Sequence, residues 1–532
     1  MSKAGNDGKG MTRRGLLRSG AAGASLLVAP RLGLGSAEAA AAAGGNEIGG
    51  MNVILFLTDQ ERAIQHFPRG WAARNLPGLT RLRRHGLEFT NAFTNACMCS
   101  PARSTLMSGF FPAQHGVKYT LEEDMPASEY PQAELPRDLP NLATIAAAAG
   151  YAPVYKGKWH CSKPQHGSEF EPADLAEYGF GRWDPPDGGA NQDVSEAGGA
   201  PGGEVDHDGR YMHATGSGKE EGVLQYLRES AAKQQPFFMV ISLVNPHDVL
   251  MYPAKYLEAD YDDSWLEGEI DLPQTVDEDL STKPSVQRQF RRIFNLTGRL
   301  ENDEMRRAYL NFYGNLMRSS DSYLVEVLDT LTDVGLLDDT LIVRTADHGE
   351  MGLAHGGLRQ KNFNFYEEST RIPLVYSNPR LFGAPRKTGA LVSHVDFLPT
   401  MASLLGAPRQ ARAKWQGVDY SRKVLSPRSQ PPQDYVVFTY DDYQSGQKSG
   451  PYPKPPNHIV SLREQRWKLA RYYDPKGRVA EQWEMYDLER DPLERRNLAH
   501  RGYERSPLEE REYLRLRRKL KEIEKTRLRR RP

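Results

Sequence analysis

The sequence predicts an α/β fold: a large central, mostly parallel mixed sheet flanked by helices, plus a small C-terminal antiparallel-sheet subdomain. Three observations carry that prediction. Continuous apolar runs at 51–57, 236–244 and 340–346 show no alternation, the mark of strands buried on both faces. Helical stretches separate them, the longest over 302–335 with Met305, Leu310, Tyr313, Leu316, Leu324 and Leu328 at core spacing. From residue 436 the pattern changes to short alternating segments at 436–440, 458–463, 467–473 and 483–487.

A chain of 532 residues and 59.8 kDa can bury a large core. Lys and Arg together number 69, as do Asp and Glu, so no global field points to nucleic acid or to a membrane surface. With a mean hydropathy of −0.64, 48 Gly and 36 Pro, the chain reads as loop-rich and soluble. Three cysteines are too few for a disulfide framework. Cys97 and Cys161 read as free thiols, with a pairing between them as the alternative.

Residues 1–45 are of another kind. Thr12-Arg13-Arg14-Gly15-Leu16-Leu17 precedes a weakly apolar stretch, Ala21 to Leu34, and Ala37-Glu38-Ala39 offers a cleavage site. This reads as a twin-arginine signal, so export to the periplasm or the medium through the twin-arginine translocase is expected. A disordered Ala/Gly-rich leader is the other reading. Pro30 and Arg31 break the apolar stretch, so no stable membrane span is expected. Beyond it lie a large domain over 46–406, a Pro-, Arg- and Gln-rich linker over 407–434, the antiparallel subdomain over 435–500, and a charged helix and frayed tail over 501–532.

In order, the run at 51–57 ends in Thr58-Asp59-Gln60. In open α/β sheets ligands gather at the carboxyl ends of strands, although an Asp there also serves as a helix cap. Residues 139–146 read as a helix and 151–156 as a strand ending in Gly157-Lys158-Trp159-His160. An extended backbone would place Lys158 and His160 on one face; a surface lysine and a packed histidine account for the pair equally well. Residues 162–218 read as pocket-shaping loops, with His166, His207 and His213 at the surface. The strand at 236–244 ends in Asn245-Pro246-His247-Asp248, where His247 could protonate a leaving group. The strand at 340–346 ends in Asp347-His348-Gly349-Glu350, and Lys361 precedes a last strand at 371–375.

The run Cys99-Ser100-Pro101-Ala102-Arg103 offers a small nucleophile, a rigid proline and an arginine one turn on. Proline places Cys99 at the start of an element, and a helix there would aim N–H groups at an anion beside it. Arg103 would return to the same side as a bidentate clamp. A buried cysteine at a helix start is the plainer reading.

The run resembles the signature of formylglycine-dependent, Cys-type sulfatases of the alkaline phosphatase superfamily, of the exported arylsulfatase and choline-sulfatase kind. Ala102 stands where that family more often has Ser, and Gln60 where it often has a second Asp. Gly157-Lys158-Trp159-His160, the Asp347-His348 block and Tyr486-Asp487-Leu488 resemble further motifs in the family's order. The resemblance implies an alkaline-phosphatase-like fold and hydrolysis of a sulfate ester, on a small molecule or a glycan, to alcohol and sulfate. It implies that a formylglycine-generating enzyme oxidises Cys99 before folding, and that the aldehyde hydrate is the nucleophile. It implies that Asp59, Gln60, Asp347 and His348 hold one divalent metal ion together with modified Cys99, calcium ahead of magnesium or manganese. Arg103, Lys158 and Lys361 would neutralise sulfuryl oxygens, His247 would protonate the leaving group, and His160 would remove a proton from the hydrate. A phosphonate monoester or phosphodiester hydrolase of the same superfamily is the alternative, and a non-catalytic sulfatase-like binding protein a further one.

Overall fold

Strand β1 (Asn52–Thr58) runs through the middle of the large sheet, with β4 (Phe237–Ser242) and β5 (Thr340–Ala346) parallel on either side. The computed structural model describes residues 48–529 apart from 123–124, 166, 190–192, 215–220, 231 and 233–234. The leader read at 1–45, and His166, lie outside the described residues. The pleat of β1 sends Val53, Leu55 and Leu57 to one face, where they join a core with Leu106, Leu142 and Leu398. Ile54 and Phe56 join the opposite core with Tyr313, Leu316 and Leu324 of the long helix Asp303–Asp333. Burial on both faces is the physical reason the run has no alternation.

The order across the sheet is β3-β4-β1-β5-β7-β2-β6, with β8 on β2. Here β2 is Gly86–Phe93, β3 Ala152–Gly157, β6 Arg371–Ile372, β7 Leu374–Ser377 and β8 Arg386–Ser393. β7 is antiparallel to both β5 and β2, and β6 is antiparallel to β2. The remaining strands therefore point the same way, and the carboxyl ends of β1 to β5 open on one edge. The predicted strand at 371–375 is two, split at Pro373, which has no N–H for the ladder. β2 and β8 escaped the pattern because Glu88, Thr90, Asn91, Arg386 and Lys387 interrupt their apolar positions.

A second sheet, in the order β12-β11-β10-β9, is antiparallel throughout: β9 Tyr435–Tyr440, β10 His458–Glu464, β11 Trp467–Tyr473 and β12 Gln482–Asp487. The segment 407–434 packs against the large sheet, with Tyr420 and Val424 buried and the Tyr420 hydroxyl 2.8 Å from that of Tyr376. The C-terminal helix Pro507–Thr526 is no frayed tail. A Ser506–Glu509 capping box starts it, and Leu516, Leu520 and Ile523 bury against Leu462, Leu469 and Met485 of the second sheet.

Candidate active site

Four neighbouring strand tips supply the site's polar floor. Lys158 follows β3, the His247 segment follows β4, Asp59 follows β1 and Asp347 follows β5, the placement expected where parallel strands end. β2 delivers the fifth component, since its carboxyl end leads into the helix Cys99–Ser108. Met98 is the extended residue before that helix and Gly109 closes it at a φ of 70°.

Cys99 opens the helix and is buried. Its Sγ lies 3.3 Å from His348 Nε2 and 3.7 Å from Asp59 Oδ1. His348 Nδ1 faces the Gly349 carbonyl at 3.1 Å, so Nδ1 carries the proton and the Nε2 lone pair points at the cluster. That nitrogen is 3.8 Å from Asp59 Oδ1 and 3.7 Å from Asp347 Oδ1. Asp59, Cys99, Asp347 and His348 each offer an atom within 4.8 Å of the others. Burial and the Asp59 charge push Asp347 up to about 7, while the Lys158 and Arg103 charges outweigh burial and hold Asp59 well below the carboxylate range. Two buried carboxylates and a converging imidazole lone pair are a donor set that fits a divalent cation. Burial, reinforced by Asp59, pushes the Cys99 thiol up to about 12, so unmodified sulfur is a weak nucleophile at neutral pH.

Arg103 lies one turn beyond Cys99 but does not face outward as an oxyanion clamp. Its Nε donates to Asp347 Oδ2 at 2.9 Å and Nη2 to Asp59 Oδ2 at 3.1 Å. Nη1 donates to the Lys158 carbonyl and to Ser242 Oγ at 2.9 and 2.7 Å. The guanidinium is spent on holding the two carboxylates together. Lys158 Nζ sits 2.6 Å from Asp59 Oδ2 and donates to the Gly189 carbonyl at 2.5 Å. Gln60 belongs to the same network. Its Oε1 accepts from Lys361 Nζ at 2.5 Å and its Nε2 donates to Glu350 Oε2 at 2.6 Å, so a cation and an anion fix the amide's orientation.

Lys158 and His160 are not brought together by an extended backbone. β3 ends at Gly157, whose φ of 96° leaves a Cβ only 2.0 Å from the Ser242 carbonyl oxygen, so glycine is required there. Lys158 N then donates to that oxygen at 2.9 Å. The chain turns again at His160 with a φ of 53°. Asp187 accepts from Trp159 N and His160 N, both at 2.7 Å, and His160 Nε2 donates to the Leu121 carbonyl at 2.9 Å. Burial, then the Lys158 charge, keeps this imidazole neutral. Asp187, Ser242 and Glu350 are supports the sequence reading did not assign. Asp187 lies in a Gly- and Pro-rich loop with no periodicity, and Glu350 stands in the open as the last residue of Asp347-His348-Gly349-Glu350. His207, expected at the surface, is buried.

Cys99, His247 and Lys361 reach a cavity of about 210 Å³ between the Ser285–Phe294 helix and the loop 444–451; Arg103, Lys158 and His160 lie beneath its floor. Burial, with Lys158 and Lys361 against the pull of Asp59, holds His247 well below the usual imidazole range. Cys97, Cys99 and Cys161 are all free thiols.

A buried acid pair held by arginine and lysine, with a helix-start cysteine between it and a cavity, is a site that could hold a divalent cation beside a nucleophile. The family model described as sulfatase matches residues 51–407, and one described as N-sulphoglucosamine sulphohydrolase, C-terminal, matches 355–525. The chain belongs to the sulfatase family and is a sulfuric ester hydrolase. It is 27% identical to a choline-sulfatase of Rhizobium meliloti over 84% of this chain and 82% of that one. A solved 2-O GAG sulfatase matches with a TM-score of 0.67 at 20% identity, covering 90% of this chain and 92% of the other. The phosphonate monoester hydrolase of Agrobacterium radiobacter has the same fold, at a TM-score of 0.61 and 19% identity over 88% and 96% of the two chains. Among the described residues no helix is long and apolar enough to cross a membrane.

Proposed function

We propose that the protein hydrolyses the sulfate ester of an alcohol through formylglycine made from Cys99, with one divalent metal ion held by Asp59, Asp347, His348 and the modified side chain. The observation that carries this is the convergence of Cys99 on two carboxylates and an imidazole lone pair at the floor of a cavity that His247 and Lys361 also reach. Hydrated formylglycine supplies a hydroxyl nucleophile, and the metal ion supplies positive charge that acidifies that hydroxyl and balances the sulfuryl oxygens. Oxygen donors favour calcium, then magnesium or manganese; the imidazole also suits zinc. Gln60 would complete this set, its Oε1 accepting from Lys361 with one lone pair and keeping the second for the ion.

The chain's own side chains do the rest. Among the described residues lining the cavity, Lys361 is the lysine, and it receives the sulfuryl group. Arg103 and Lys158 act from below by fixing Asp59 and Asp347 in one geometry. His247 lines the cavity; the arriving sulfate's negative charge would favour its protonated form, from which the departing oxygen takes a proton. His160, its Nε2–H committed to Leu121, takes a proton at Nδ1 from the remaining hydroxyl, and expulsion of sulfate regenerates the aldehyde. A modifying enzyme that acts on Cys99 before folding and the twin-arginine translocase complete the proposed partners. Replacing both Arg13 and Arg14 by Lys should retain active enzyme inside the cell.

The test is paired. Mass spectrometry of the Cys99 peptide from active protein should show the thiol converted to the aldehyde. Sulfate release from 4-nitrophenyl sulfate should exceed turnover of a matched phosphonate monoester and phosphodiester. Full activity with an unmodified thiol, or faster phosphonate cleavage, would overturn the reading.

A further inference from the structure

The sulfate-ester reading above leaves open the other half of the substrate, the alcohol, and the cavity over Cys99 has two unlike walls that bear on it. One is apolar. Phe290, Ile293, Phe294 and Leu296, from the helix Ser285–Phe294 and the turn that follows it, form a shelf. Leu296 is 74% exposed at the mouth. The Arg359 guanidinium lies 4.6 Å from the Phe294 ring centroid and is anchored by the Asn295 side chain and the Gly298 carbonyl. A cation already stacked on that ring opposes a second one.

The other wall is made of amides and hydroxyls: Gln360, Asn362, Gln444, Gln447 and Ser449. Gln360 is 4% exposed, and its Oε1 accepts from Lys361 Nζ at 3.3 Å, which orients the amide. Its Nε2 is a buried donor with no partner, a group whose desolvation is costly until an acceptor arrives. Apart from His247 and Lys361 at the floor, the described residues lining the cavity include no Asp, Glu, Arg, Lys or His. Among these lining residues a carboxylate on the alcohol would find no second cation, and a quaternary ammonium no anion. A volume of about 210 Å³ is below the roughly 300–1,000 Å³ of most ligand sites, so it suits one ring.

We propose that the cavity takes the ring of an uncharged sugar, its apolar face on the Phe290–Phe294–Leu296 shelf and its hydroxyls at the amide wall. The proposal rests on the sulfate-ester reading for the bond cleaved, but not for the ring bound.

The test compares kcat/KM of the modified, metal-loaded enzyme on three sulfate esters, of a neutral hexose, a uronate and choline. The same three alcohols are also supplied as phosphonate monoesters. The hexose sulfate should lead the two charged ones by about 10–100-fold, and Leu296→Lys, at an exposed position, should narrow the hexose-to-uronate ratio about tenfold. A uronate or choline ester cleaved as well as the hexose ester would overturn the proposal. If only the phosphonates react, the sulfate reading fails and the same ranking is read on them. If neither series reacts, calorimetric binding of the free alcohols decides: hexose alone binding supports the proposal, and a charged alcohol binding as tightly overturns it.

Discussion

Among the described residues, two buried clusters bring histidine and carboxylates within metal-binding reach, and they do opposite things. At the catalytic floor, Asp59, Cys99, Asp347 and His348 converge, and the imidazole is held neutral by burial and Lys361. In the second cluster, His355, Glu368 and Glu494 lie equally close. There His355 Nδ1 donates to Glu278 Oε2 at 2.8 Å, its ring stacks on Tyr366 at 3.6 Å, and its Glu278 and Glu368 partners outweigh burial and push it up to about 9. A protonated imidazole has no lone pair to give. Lys468 occupies Glu494 Oε1 at 2.7 Å, and Lys283 bonds Glu278 Oε1 at 3.1 Å. The same residue types make a ligand set where a lone pair and shared negative charge remain, and a structural ion network where lysines and a protonated histidine have already answered the carboxylates. That network also ties the 355–368 segment carrying Lys361 to the second sheet.

The largest expected effect breaks the comparison at its root. Asp59→Asn or Asp347→Asn should lose bound metal and about three or more orders of magnitude of turnover, whereas Glu368→Gln should keep its metal content. Elemental analysis of the three purified variants decides it, and metal lost from Glu368→Gln would make the second cluster a binding site after all.

Next comes His247→Ala, expected to cost about 10²–10⁴ in kcat/KM on an alkyl sulfate and far less on 4-nitrophenyl sulfate, whose leaving group needs no proton. Equal losses on the two esters would remove His247 from the proton-donor role.

Arg103→Lys sharpens the contrast between a residue that positions and one that touches the substrate. A lysine cannot span both carboxylates, so stability should fall by about 3–5 kcal/mol, as when a buried pair is broken. The loss should shrink when the metal is supplied in excess. Chemical denaturation with and without added metal measures both.

The smallest effect is on pH and belongs to the second cluster. His355 is raised from 6.5 to about 9, so its stabilisation is present below pH 6.5 and is lost as pH rises through 9. Glu367 and Glu368 are lowered from 4.5 to about 2, so theirs is present above pH 4.5 and is lost as pH falls toward 2. The melting temperature of the wild type should therefore drop between pH 7 and 9.5, and that of His355→Phe should drop less. Parallel curves would show that His355 is not charged in the fold.

By itself the sequence determined the three central strands and what stands at their ends. Apolar runs at 53–57, 237–241 and 341–343 become β1, β4 and β5, and Asp59, His247 and Asp347 follow them, because burial on two faces is written in local composition. Pro101 likewise placed Cys99 at the start of its helix. Only the tertiary structure decided which tips are neighbours, since the order β3-β4-β1-β5 depends on pairings between distant segments. It also decided that Arg103 faces Asp59 and Asp347 instead of the cavity, and that Gln60 answers Lys361 and Glu350. The Phe290–Leu296 shelf and the Gln444–Ser449 wall carry no periodic signal that links them; they meet only because the second sheet docks beside the first. A charged side chain's role is set by what lies within about 4 Å of it, at the range where Coulomb terms outweigh screening, and that neighbourhood exists only after the chain has folded.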